Sequence, residues 1–200
     1  MQVQVLDCLA DSAGWLAVAS GEAQLIITQD RAATPAGASA LRLDYDFRGG
    51  GGFVVARRVL PLSLPESYAF RFAVRGQAPA NTFEFKLADP ANVNVWRYRE
   101  PAFDLSDDWR TLEIRGRDLD FAWGPAGGGA PREVGAIELA IVAGPGGRGT
   151  VWIGDLCLVD RSATEPPRVS ASSQCQDPPS AVLDGRSDTA WQPARSDSNP

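Results

Sequence analysis

SYAFRFAVR (67–75) and, after a short turn-rich gap, TFEFKLA (82–88) decide the fold. In the first, Tyr68, Phe70, Phe72 and Val74 share one face while Arg71 and Arg75 share the other. In the second, Phe83, Phe85 and Leu87 alternate with Glu84 and Lys86. Period two marks strands with one face on a core and one on solvent. The pattern recurs on both sides: QVQVL (2–6), QLIIT (24–28), ALRLDYDF (40–47) and GFVVARRVL (52–60) precede the pair. NVNVWRYR (92–99), WRTLEIRG (109–116), GAIELAIVA (135–143) and TVWIGDLCLVD (150–160) follow it. Glycine (20) and proline (15) punctuate these segments at the spacing of turns, not of long helices. The chain therefore predicts an all-β, two-sheet antiparallel sandwich of jelly-roll type over residues 1–161.

Bulk composition narrows the function classes. Hydrophobic residues make up 44%, enough for a buried core. A net charge of −6 sets the surface against phosphate backbones and anionic lipids, so neither nucleic acid nor a membrane surface is expected as a partner. No apolar stretch approaches the roughly 20 residues of a membrane-spanning helix. MQVQVLDCLADSAGWL (1–16) lacks the basic and apolar regions of a signal peptide, so a secreted or periplasmic location requires a leader already removed. Histidine is absent, and with it the commonest general base and zinc ligand. Cys8, Cys157 and Cys175 form no CxxC pair, and Cys8 and Cys157 read as small buried apolar residues. The loops RGGGG (48–52) and WGPAGGGAP (123–131) lack the Lys-Ser/Thr ending of a phosphate-binding loop.

RSATEPPR (161–168) shifts the composition towards Ser, Thr and Pro, and residues 162–168 read as a linker. Residues 169–200 hold too few apolar anchors to bury a core alone. Their spaced elements are Ser172–Ser173, Ala181, Asp184–Gly185 and Thr189–Ala190–Trp191. This series resembles the opening of a discoidin domain, the coagulation factor 5/8 C-terminal type. The resemblance implies a calcium loop with Asp184 and Thr189 as side-chain ligands and carbonyls from Ala181 and Arg186. It also implies further covalently attached domain beyond residue 200.

In residues 1–161, VLD (5–7) precedes Gly14–Trp15 and LRLDYDF (41–47), and DWRTLEI (108–114) leads to a closing VWIGDLCL (151–158). This order resembles the galactose-binding-like jelly rolls that serve as carbohydrate-binding modules in bacterial polysaccharide enzymes. A mitochondrial assembly-factor family shares the pattern. The carbohydrate resemblance implies a non-catalytic module that holds an attached glycoside hydrolase or related enzyme near its polysaccharide. A protein–protein assembly module and a carboxylate-dependent hydrolase or lyase are the alternatives. For the last, Glu84, Glu100, Asp104 and Glu113 are available, but no spaced pair singles two of them out. First and last strands are often neighbours in such jelly rolls, so Asp7 and Asp155 with Glu22 are candidates for structural calcium. Cys8 stands where the family carries an acid, and exposed strand-end acids are the competing reading.

Sugar sites combine an aromatic plane for the pyranose face with polar groups for the hydroxyls. If Val93 and Val95 face the core, Asn94, Trp96 and Tyr98 project outward beside Glu84 and Lys86, giving a glycan platform. That arrangement turns Arg97 and Arg99 inward unless the strand bulges or ends there. The competing reading packs Trp96 and Tyr98 as core beneath a loop. Trp123 either lines a cleft or anchors its glycine-rich loop. Trp109 reads as strand packing, and Trp15 and Trp152 read as core.

Overall fold

The structure, a computed structural model, describes residues 2–9, 12–31, 34 and 37–162. The chain divides into two units, Met1–Ser162 and Ala163–Pro200. Asp184, Thr189, Ala181, Arg186 and the linker's remaining residues lie outside the described residues.

Twelve strands form among the described residues: β1 (Gln2–Asp7), β2 (Trp15–Ala19), β3 (Gln24–Asp30), β4 (Ala40–Asp46), β5 (Phe53–Ser63) and β6 (Tyr68–Gln77), then β7 (Thr82–Ala88), β8 (Val95–Glu100), β9 (Arg110–Arg115), β10 (Asp120–Trp123), β11 (Glu133–Val142) and β12 (Arg148–Asp160). One sheet runs β3-β4-β12-β6-β9, with β1 also pairing β12; the other runs β10-β8-β7-β11-β5-β2. All recorded pairings are antiparallel. This is the expected all-β sandwich.

The core is made where the two alternating segments meet. Phe70 and Phe72 on β6 face Phe83 and Phe85 on β7, with Phe70–Phe85 and Phe72–Phe85 centroids at 4.9 and 5.9 Å. Burying one such ring contributes about 1.5–3 kcal/mol, so this cluster contributes strongly to cohesion between the sheets. The opposite faces of the same strands carry Arg71 and Arg75, and Glu84 and Lys86, as the alternation requires.

Several local expectations are corrected. Cys8 is exposed, because Leu9 at φ 52° folds into the core in its place; Cys157 is buried as expected. Trp152 is buried on the outer face of its sheet: Val151 and Ile153 take the inward positions, and its ring is covered by Arg75 at 4.3 Å and Arg42 at 5.4 Å. Strands β2 and β10 were not legible. In β2 only Trp15 is buried, and β10 is four residues long, so neither shows alternation. The segment expected as a strand over 92–99 begins only at Val95. Asp89 holds the preceding residues in a turn, its Oδ1 accepting the backbone N–H of Val93 and Asn94 at 2.8 and 3.1 Å.

Candidate functional site

That turn sets the facing of β8. Residues opposite each other on neighbouring strands share a face. Leu87 pairs with Trp96 and Phe85 with Tyr98, so both β8 aromatics point into the sandwich. Lys86 pairs with Arg97 and Glu84 with Arg99, so the arginines point out. The expected platform of Trp96 and Tyr98 is thereby corrected. Trp96 is 6% exposed, stands edge-on to Phe121 at 5.7 Å, and its indole N–H donates to the Gly129 carbonyl at 2.6 Å. Tyr98 is half-buried and donates to Glu100 at 2.8 Å; burial first, then Glu100, pushes its hydroxyl up to about 12. The signal against the platform was already in WRYR: turning the rings outward buries two guanidinium groups, which is far costlier than burying two aromatic rings.

The two tryptophans differ in setting. Trp96 anchors the glycine-rich loop, while Trp123, at the loop's base, is 49% exposed. Asn94 belongs to the same anchorage, donating to Asp89 Oδ2 at 2.7 Å and accepting the Ala126 N–H at 2.8 Å. Gly124 at φ 131° makes this approach possible, since a Cβ there would lie 2.5 Å from Asn94 Oδ1. Asn94 thus positions the loop after Trp123 through its side-chain hydrogen bonds.

On the outer face of the second sheet, Trp123, Lys86, Phe53, Glu138, Val18 and Val55 line an open cleft of about 310 Å³. Lys86 is bracketed by rings: its Nζ is 5.7 Å from the Trp123 centroid and 5.9 Å from that of Phe53. Both distances fall within the range of cation–π attraction. The Lys86 ammonium also meets Glu84 Oε2 at 3.2 Å, and Glu84 Oε1 receives Arg97 Nη1 at 3.2 Å and Arg99 Nε at 3.6 Å. Arg57 pairs with Glu138 and donates to Asn92 Oδ1 at 2.9 Å, tying the 89–94 turn to the cleft. Of the residues expected at a ligand site, Glu84, Lys86 and Trp123 come together here. Phe53, Arg57, Arg97, Arg99 and Glu138 were missed. Glu138 had a signal, a lone carboxylate within the otherwise apolar GAIELAIVA.

The candidate calcium ligands Asp7, Glu22 and Asp155 do not form a cation site. Asp7 Oδ1 accepts the Leu9 N–H at 2.8 Å; its Oδ2 accepts the Trp15 indole at 2.8 Å and meets Arg58 Nη1 at 2.6 Å. A guanidinium thus stands against the carboxylate where a cation would be needed. Glu22 and Asp155 are exposed, and among the described residues no three His, Cys, Asp or Glu side chains gather in a cluster that could hold a metal.

No protein-family model matches the chain, and no curated protein matches it. Solved structures do. The family 11 carbohydrate-binding module of the cellulosomal cellulase Lic26A-Cel5E of Clostridium thermocellum superposes with a TM-score of 0.62 at 15% identity, over 80% of this chain and 95% of its own. A family 11 module from the same organism, in complex with a β-1,3-1,4-mixed-linked tetrasaccharide, gives 0.64 at 16% identity, over 78% and 95%. The family 30 module of that organism's cellulosomal cellulase Cel9D-Cel44B gives 0.53 at 18%, over 74% and 92%. The first unit is thus similar in fold to these β-sandwich modules.

Proposed function

We propose that the outer face of the second sheet binds a glycan, making this a non-catalytic carbohydrate-binding module with Trp123 as its stacking platform. The observation that carries this reading is the exposed Trp123 ring at a cleft it lines with Lys86 and Glu138, where Lys86 is ion-paired to Glu84. An apolar plane beside fixed donors and acceptors suits the two chemistries of a pyranose. The fold likeness to modules from cellulosomal cellulases supports the same reading. In the larger protein the module would hold an attached enzyme near its polysaccharide, raising local substrate concentration. The segment after the linker would then open a discoidin-like domain.

Affinity electrophoresis through gels containing soluble polysaccharides tests the proposal. Retardation by at least one polymer is expected, with a Kd equivalent to about 4–8 kcal/mol. Trp123→Ala should abolish it. A wild-type chain that no glycan retards would overturn the reading.

A further inference from the structure

Two arginines on this face share a single carboxylate oxygen. Around Lys86 on this face stand the cations Arg57, Arg97 and Arg99 and the anions Glu84 and Glu138. Arg57 is matched by Glu138 and Lys86 by Glu84. That leaves Arg97 and Arg99 to share one oxygen, Glu84 Oε1, each through a single nitrogen. Their side chains are 39% and 52% exposed, whereas that of Glu84 is 5% exposed. Asp120, opposite Arg97 on β10, is the nearest further acid in register, and Glu133, at the far end of β11, accepts a hydrogen bond from Ser63 at 2.9 Å.

We infer that the glycan recognised here is acidic, with Arg97 and Arg99 taking the carboxylate of a uronic acid residue next to the sugar stacked on Trp123; this rests on the glycan reading above. A guanidinium presents five donors in a planar fork that matches a carboxylate in two-point contact. Arg97 and Arg99 each commit one nitrogen to Glu84, and among the described residues neither fork meets a second carboxylate. Both lie on the face that carries the platform: Arg97 is the register partner of Lys86, whose ammonium lies under the Trp123 ring.

Calorimetric titration of the full chain with polygalacturonate, glucuronan and alginate, each with free and with methyl-esterified carboxyl groups, separates the possibilities. Dextran sulfate and a neutral mixed-linked β-glucan complete the series. At least one free uronate polymer should bind about tenfold or more tightly than its own ester, the scale of one charge-assisted hydrogen bond. Added salt should weaken that preference because the pair is partly exposed. Arg99→Gln, at the more exposed position, and Arg97→Gln should each bring free and esterified polymer closer together. Equal binding of free and esterified polymers, or of the neutral glucan, would overturn this inference and leave the glycan reading standing. Tightest binding to dextran sulfate would assign the arginines to a sulfate ester and overturn the uronate assignment. Failure of every glycan to bind would remove both. Because the ester comparison uses the unaltered protein, poor folding of a variant does not obscure the result.

Discussion

The indole N–H of Trp96 donates to the carbonyl of Gly129 at 2.6 Å, tying a core ring to the loop that follows the exposed Trp123. One tryptophan is therefore structural and the other is exposed, although both sit in strands of the same sheet.

Replacing Trp96 should cost stability in two separable steps. Trp96→Phe keeps a ring but deletes the bond to Gly129, an expected loss of about 1 kcal/mol. Trp96→Ala also leaves a cavity beside Phe121, an expected loss of about 3–5 kcal/mol. Urea denaturation read by far-ultraviolet circular dichroism gives both values. An alanine variant as stable as the wild type would show that the ring does not pack in the core.

Asp89 gives the fold a defined acid sensitivity. Burial alone would raise its carboxyl, but hydrogen bonds from the Asn94 side chain and from the backbone of Val93, Asn94 and Asn92 together outweigh that and hold it below the ordinary value. A carboxyl lowered in the folded state contributes stability above its unfolded pKa, near about 4. That contribution is lost as pH falls through the lower, folded value. Wild-type stability should therefore drop more steeply below about pH 4 than that of Asp89→Asn, in denaturation curves taken across that range. Parallel curves for the two proteins would contradict the assignment.

Asp7 should behave as an ion-pair partner and not as a metal ligand. Asp7→Ala strands the Trp15 indole, the Leu9 N–H and the Arg58 guanidinium together. The expected cost is about 3 kcal/mol, at the lower end for a broken buried pair because Arg58 is partly exposed. The same difference from wild type is expected with and without a chelator. A chelator that destabilised wild type but not Asp7→Ala would restore Asp7 as a calcium ligand.

The sandwich was legible because its core strands alternate without interruption. Phe70, Phe72, Phe83 and Phe85 stand in period two, and their parity was read correctly. The site was legible only in part. Glu84 and Lys86 follow directly from that parity, but β8 was read one residue out of phase. The two valines of NVNV suggested a buried face, yet Val93 lies in the turn held by Asp89 and is exposed. A one-residue slip moves every side chain to the other face, so this single turn misplaced Trp96, Tyr98, Arg97 and Arg99 together. Phe53 and Glu138 were beyond reach for another reason. Their nearness to Lys86 depends on which strands neighbour β7 and in what register, and local periodicity contains neither fact.

A glycan titration followed through the indole N–H resonances of the chain's tryptophans, assigned by single substitution, tests most directly whether the Trp123 face binds glycan. A bound glycan should shift the Trp123 resonance progressively to saturation. The buried indoles of Trp96, Trp15 and Trp152, held by Gly129, Asp7 and Asp30, should stay in place. A saturable titration that leaves Trp123 unmoved while another tryptophan shifts would contradict the assignment of this face as the binding site.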